Sequence, residues 1–413
     1  MEKSKCAIIA VGPTLPAPPP AHTSCAVLYF DHNATHPISG TAKRAWIDAV
    51  ENFPANPSSP HRLGQRAEAA LQDARARLAA MLGCGADGIV FTGGATESAN
   101  TVLAQFDEVL ASAIEHPCVL EALHFLSGKN VEASRGEGSA RLSIERPGAS
   151  DLLKRLPSAA TGRAELPHFA GKKPQLVALM AANNETGVLQ PWREALAGCR
   201  ENGVPMFCDA AQWIGRLPAA GLGACDFVSG CAHKFGGPQG VGFLKCPADF
   251  PLLLRGGPQE EGRRAGTENV AGVLAMVAAL DEREAAIRDG ALRERLEWRT
   301  EFECEFVASL PGARVLGAVV DRLWNTVSVI MPESPDCRRR WVVVMDRLGF
   351  AVSTGSACAS GKERPSHVLT AMGIAPEDAG RALRFSAGWG TTRDDWRALL
   401  EGVKAAAREM GVR

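Results

Sequence analysis

Six separated groups of residues have types and spacing that suit covalent and acid–base chemistry on a phosphate-bearing ligand. Lys234 stands in Cys231-Ala232-His233-Lys234-Phe235-Gly236-Gly237-Pro238-Gln239-Gly240-Val241-Gly242. An amine beside a Gly-Pro-rich loop can attack a carbonyl once burial or a cationic neighbour has removed its proton. The glycines permit close backbone approach to a ligand, whereas a lone lysine is ordinarily a solvated surface charge. Asp209 follows an apolar run, with Gln212 three residues later. Its carboxylate suits a protonated ring nitrogen, although taken alone a helix N-cap is the favoured reading. Gly93-Gly94-Ala95-Thr96 reads as a strand-to-helix turn whose free N–H groups hold a phosphate, or as a plain glycine turn with Thr96 as N-cap. It matches neither G-x-G-x-x-G nor a loop ending in Gly-Lys-Ser/Thr, which disfavours those two nucleotide-binding routes. His116, in Glu115-His116-Pro117, suits ring stacking or proton relay, against the default of a structural imidazole. Arg384, in Leu383-Arg384-Phe385-Ser386, offers a planar fork for a carboxylate or serves a structural pairing. Cys358 lies in Ser353-Thr354-Gly355-Ser356-Ala357-Cys358-Ala359-Ser360-Gly361-Lys362. Such small residues cannot pack as a core, so the run predicts a mobile loop. A thiolate there can reach into a site and leave again. The chain has 12 cysteines, so an incidental thiol is the alternative.

These groups need a frame. Ala67, Ala70, Leu71, Ala74, Leu78 and Met81 share one face of a helix over 67–82. Ile89–Thr92, Leu176–Met180, Pro205–Cys208, Asp226–Val228 and Val241–Leu244 read as short buried strands, with a helix over Pro191–Glu201. Strands alternating with helices imply an α/β fold around a largely parallel sheet. Ligands in such folds sit beyond the carboxyl ends of the strands, where Gly93–Asn100, Asn183–Gly187, Asp209–Gln212 and Cys231–Gly242 fall. Beyond Thr267, a long and increasingly charged helical stretch runs to about Ser309 and leads into a smaller domain. The expected division is a large domain over 40–285 and a small one over 27–39 and 286–413. Gly128–Ala170 is polar and weakly periodic and receives no assignment.

Composition narrows the function classes. The 413 residues carry 45 Lys plus Arg against 46 Asp plus Glu, a net charge of −1. That lacks the basic footprint of a nucleic-acid binder. Apolar residues at 46% and charged residues at 22% exclude bulk disorder. The longest apolar stretch, around Val270–Leu280, is too short to cross a bilayer. No C-x-x-C pair occurs and the cysteines are thinly spread, which points to free thiols in a reducing cytoplasm. Residues 1–26, with Thr14-Leu15-Pro16-Ala17-Pro18-Pro19-Pro20, read as a disordered Pro-rich extension rather than a leader.

In combination these segments resemble the cysteine desulfurases, enzymes of the class-V aminotransferase family that use pyridoxal 5′-phosphate (PLP). The resemblance runs from Tyr29 to about Asp395. It includes Tyr29-Phe30-Asp31-His32-Asn33-Ala34-Thr35, Asn56-Pro57-Ser58-Ser59, Phe91–Asn100, Asn183-Asn184-Glu185-Thr186-Gly187, Asp209-Ala210-Ala211-Gln212, His233-Lys234, Gly262–Gly272, Ser353–Ser360 and Arg384-Phe385-Ser386. It implies fold type I, with a mainly parallel central sheet and a smaller α+β domain. It further implies that Lys234 binds PLP covalently, His116 stacks over the ring with a possible acid–base role, Asp209 pairs with the ring nitrogen and Gln212 bonds the phenolic oxygen. Ala95, Thr96, His233 and the residue at Cys231 would hold the phosphate. Thr267 would reach it from the partner of a homodimer. Asn184 and Arg384 would bind the substrate carboxylate, with Asn33 nearby, and Asn184 would also contact the cofactor. Cys358 would take the sulfur of L-cysteine as a persulfide, for delivery to an acceptor protein such as an iron–sulfur scaffold or a thiolation protein. The loop resembles that of the longer-loop desulfurases, with Pro365-Ser366-His367-Val368-Leu369 after it. No metal, nucleic acid or membrane is implied. The rival readings are a selenocysteine lyase, another PLP-dependent carbon–sulfur lyase, and a non-catalytic scaffold for sulfur transfer. Four positions depart from the family pattern: Cys231 where Ser is usual, Pro258 for Gly, Glu261 for Arg and His36 for Thr.

Overall fold

Apolar runs too short for helices become the strands of a central sheet. The computed structural model describes residues 27–127, 153–169, 171–333, 337–355 and 366–412. The Pro-rich segment 1–26 and Cys358 lie outside these residues. The first part of the chain runs β1 (Leu28–Tyr29), α1 (Gly40–Asn52), α2 (Arg62–Leu82), β2 (Ile89–Thr92), α3 (Ala95–Leu103), β3 (Val109–Ser112) and α4 (Pro117–Leu126). It continues through β4 (Leu153–Leu156), β5 (Leu176–Ala178), α5 (Trp192–Asn202), β6 (Met206–Asp209), β7 (Phe227–Cys231), β8 (Gly242–Lys245) and α6 (Val270–Arg288). Strands β2 to β8 form one seven-stranded sheet in the order β2-β8-β7-β6-β5-β3-β4. The pairs from β7 through β4 are parallel, and β8 runs antiparallel to both its neighbours. Six strands therefore point one way, so the expected parallel character holds with one reversed strand. The sheet's strands are buried on both faces, which is why they read as continuous apolar runs rather than alternating ones.

The remainder runs α7 (Ala291–Ser309), β9 (Arg314–Val315), β10 (Thr326–Ile330), α8 (Cys337–Arg347), β11 (Phe350–Ala351), α9 (His367–Ala371), α10 (Pro376–Ala379), β12 (Ala382–Ser386) and α11 (Arg393–Met410). The expected single helix from 270 to about 309 is two helices. Asp289 ends α6 and Gly290, at φ 84, starts α7 in a left-handed conformation that suits glycine. The sheet β12-β10-β9 is antiparallel. With α7, α8 and α11 it surrounds a separate core that includes Phe302, Phe306, Trp341, Phe385 and Trp396. β1 pairs with β11, and Asp31 bridges Ser386, so the first described residues belong to this second core. That pairing carries Asp31 to Thr35 back across the top of the large sheet.

Candidate active site

The carboxyl ends of β2, β6 and β7 open into a cavity of about 1180 Å³. Its opposite wall comes from the second core, through Val342, Val343, Ser353, Gly355 and Arg384. Register creates the phosphate-like end. Thr92 and Cys231 both lie opposite Gly242, on either side of β8. A Cβ on Gly242 would sit 2.5 Å from the Gly230 carbonyl and 2.7 Å from the Gly94 Cα, so only glycine allows this approach. The N-cap of α3 is Gly94, at φ 151, and not Thr96. Gly94 brings no capping side chain, so helical N–H groups at Ala95 and Thr96 are directed at the cavity end. Glu97 folds back to accept from the Gly93 N–H at 2.7 Å, while Arg264 clamps its carboxylate at 2.9 and 3.0 Å.

Lys234 follows β7 and donates through Nζ to the carbonyls of Asn33 at 2.7 Å and Ala34 at 2.8 Å. Burial lowers its pKa to about 8; Arg216 and Arg384 act in the same direction, while Cys231 and Asp209 oppose. Arg216 is itself buried, donates to the carbonyls of Gln212 and His32 at 3.1 and 3.2 Å, and has its pKa lowered by burial to about 9. Asp209 ends β6, and its Oδ1 accepts from the Ala211 N–H at 3.0 Å and the Ser229 hydroxyl at 3.2 Å. A turn follows it rather than a helix, which removes the N-cap reading. Gln212 donates to the Asn33 carbonyl at 3.0 Å, and its buried Oε1 has no partner among the described residues. His116 is both the N-cap of α4 and a wall of the cavity. Its Nδ1 accepts from the Cys118 N–H at 3.1 Å, and burial lowers its pKa. A neutral ring with Nδ1 accepting carries its proton on Nε2. His233 is held by the Thr35 hydroxyl at 3.3 Å and is kept neutral by burial, with a pKa of about 4.

Arg384 lies on β12 and donates to the carbonyls of Asn184 at 2.9 Å and Gly355 at 3.1 Å and to Asp31 Oδ1 at 2.5 Å. Its buried Nε is unpartnered among the described residues. Asn184 lines the cavity, but the turn is built by Asn183, whose Oδ1 accepts from the N–H groups of Glu185 and Thr186. Asn33 lines the cavity, as its expected place near the substrate requires. Its amide is engaged by Thr326, Asn325 and the Asn184 carbonyl, and its backbone carbonyl is what receives Lys234. Thr267 is exposed and absent from the wall of this cavity. Ser353, Thr354 and Gly355 lie on the wall. Cys358 lies outside the described residues, which resume at Ser366, whose hydroxyl donates to Glu185 at 2.6 Å.

Sequence reasoning missed three contributors. Asp31 orients Arg384 from 353 residues away, a pairing no local pattern announces. Arg216 is a buried cation for which the chain has no counterion in hydrogen-bond reach among the described residues. Glu115, wholly buried, accepts from the Met180 N–H at 2.7 Å, and burial raises its pKa to about 8. Of the departures, His36 lies behind the lysine loop, where its N–H donates to the His233 carbonyl at 2.7 Å. Glu261 has φ 59, beside Glu260 at φ 50. That uncommon backbone is tied down where buried Glu260 accepts from Arg75 at 2.8 Å and from the Phe91 N–H at 3.1 Å.

The model of the family described as aminotransferase class-V matches residues 28–399. The chain belongs to that family. It is 37% identical over 372 residues to a cysteine desulfurase of Klebsiella pneumoniae, covering 87% of each chain. Among solved structures it is similar to a NifS-like protein at TM-score 0.79 and 28% identity, covering 93% of this chain and all of that one. It is also similar to SspA in complex with cysteine, at TM-score 0.69 and 26% identity over 87% of this chain and 98% of that one. Class-V aminotransferase relatives are PLP-dependent enzymes, and so is this one. The cavity fits that cofactor. It offers an uncapped helix start, a buried carboxylate, a partnerless amide oxygen on Gln212 and an amine held near neutrality. Ala95, Thr96 and His233 would take the phosphate, Asp209 the ring nitrogen, Gln212 the phenolic oxygen, His116 the ring face and Lys234 the reactive carbon.

Proposed function

We propose that the chain is an L-cysteine desulfurase that releases L-alanine and leaves the sulfur on Cys358 as a persulfide. What supports this most is one cavity holding an amine near neutrality, a guanidinium fork and the described end of the Cys358 loop. When bound, PLP supplies an electron sink that stabilises negative charge at the substrate α carbon. Lys234, with a pKa of about 8, exists partly as the free amine at neutral pH, so it can act as nucleophile and then move the α proton. His116 lines the cavity as a neutral ring whose Nε2–H can donate a hydrogen bond there. Arg384, oriented by Asp31, stands on the cavity wall to take the substrate carboxylate. The Cys358 thiolate attacks the substrate sulfur. An S–S bond forms as the carbon–sulfur bond breaks, and the electron pair goes to the carbon skeleton. That skeleton gains a proton and leaves as alanine.

The separate cores around the large sheet and around β12-β10-β9 support a division into a large domain over 40–285 and a small one over 27–39 and 286–413, joined by a further cluster that includes Ile114, Met180 and Ile330. A homodimer completes the reading: Thr267 is exposed and does not line its own cavity, and Trp46, Ile47 and Val50 of α1 leave apolar surface exposed. Among the described residues no helix is long and apolar enough to cross a membrane, and eight described cysteines are free. These observations suit a cytoplasmic enzyme that hands sulfur to an acceptor protein. The test measures alanine and persulfide from L-cysteine with the PLP-loaded protein, beside a Cys358→Ala variant. Alanine formation that requires Cys358 supports the reading. Equal turnover by the variant, or turnover of selenocysteine alone, overturns it.

A further inference from the structure

Cys231 ends β7 with only 4% of its surface exposed, on the cavity wall beside the start of α3. The Gly242 register described above presses this end of β7 against Gly94. Cys231, Ala95 and Thr96 line the same end of the cavity. Glu97 holds the Gly93 N–H, and its own charge is matched by Arg264. Burial raises the Cys231 pKa to about 11, so at neutral pH it stands as a thiol. A thiol donates weakly to an anion compared with a hydroxyl. The phosphate end therefore contains a buried side chain beside the helix start that contributes little as a donor.

We propose that Cys231 makes this chain a loose holder of PLP, so that the cofactor exchanges readily with solution and a hydroxyl at this position would tighten its grip. The proposal rests on the reading of the cavity as a PLP site. Arg216, Lys234 and Asp209 surround the sulfur electrostatically, and none of them is altered by exchanging it for an oxygen.

The test is the PLP dissociation constant of the cofactor-free protein, measured by equilibrium dialysis for wild type, Cys231→Ser and Cys231→Ala. The melting temperature of each PLP-free protein reports folding. We expect Cys231→Ser to bind PLP about tenfold more tightly, the size of one improved hydrogen bond to a charged group. Cys231→Ala should stay within about threefold of wild type, because the thiol it removes contributes little. Unchanged or weaker binding by a folded serine variant overturns the proposal. So does a tenfold loss in the alanine variant, which would make the thiol a full ligand. Should the serine variant not fold, the alanine result decides alone. A wild-type protein that binds no PLP would overturn the cofactor reading itself, a failure distinct from equal binding by all three.

Discussion

Two cations face the same cavity, and the fold treats them in opposite ways. Among the described residues Lys234 has only the Asn33 and Ala34 carbonyls for its amine, and burial lowers its pKa to about 8. Arg384 has the Asp31 carboxylate at 2.5 Å as well as two carbonyls. A nucleophile must shed its proton, so it is buried without a counterion. A carboxylate clamp must keep its charge and hold one orientation, so it is paired and fixed. The same residue class thus gives two functions, and second partners decide which.

The largest effect should come from removing the uncompensated cation. Lys234→Ala is expected to lower alanine formation by about 10³-fold or more, since it removes both nucleophile and base. Product assays under saturating PLP check this, and retention of a tenth of the activity would break the contrast.

A stability experiment sharpens it next. The folded pKa of Lys234 lies below its unfolded value of 10.5, so between about pH 8 and 10.5 the unfolded chain binds the extra proton. Stability from this group therefore rises with pH across that window and stays at its lowest below about pH 8. Lys234→Met should be more stable than wild type at pH 7.5 by about 3 kcal/mol, with the gap closing toward pH 10.5. Urea denaturation of the two PLP-free proteins at several pH values measures the gap, and a constant gap would contradict the account.

Arg384→Lys keeps the charge and loses the fork. It should raise the KM for cysteine about 10- to 50-fold with a smaller change in kcat, as one charge-assisted hydrogen bond is lost. Steady-state kinetics decide between this and a general loss of activity. The smallest effect belongs to Asp31→Asn, which keeps a hydrogen-bond acceptor while removing the counterion. A rise of about three- to tenfold in KM is expected, and no change would show that Arg384 is oriented by its carbonyl contacts alone.

Much of the large sheet was legible because its strands are short apolar runs punctuated by glycine. Ile89–Thr92 is the strand its sequence suggests, and the clusters after β2, β6 and β7 do meet at one end of the sheet. Strand β3 and helix α4 escaped notice. Val109–Ser112 is only four residues long, and Pro117–Leu126 is apolar on most sides. Strand β4 lies in a stretch whose polarity hid it. The break at Gly290 was masked by helix-favouring residues on both sides. In the site, residue types pointed to Lys234, Asp209 and Arg384 because each chemistry needs that type. What they bond to was not legible. The Asp31–Arg384 pair, the Lys234 contacts to 33 and 34, and the engaged amide of Asn33 all join segments at least 151 residues apart. Such contacts follow from β1 crossing to β11, which no local pattern encodes.

The most direct test of the contrast between the two cations is the rate at which cofactor-free protein captures PLP through Lys234, followed by absorbance as a function of pH. A capture rate that climbs with pH around a midpoint of about 8, and is lost in Lys234→Ala, is the predicted result. A midpoint near the ordinary lysine value of 10.5 would show that the amine keeps its proton and would contradict the account.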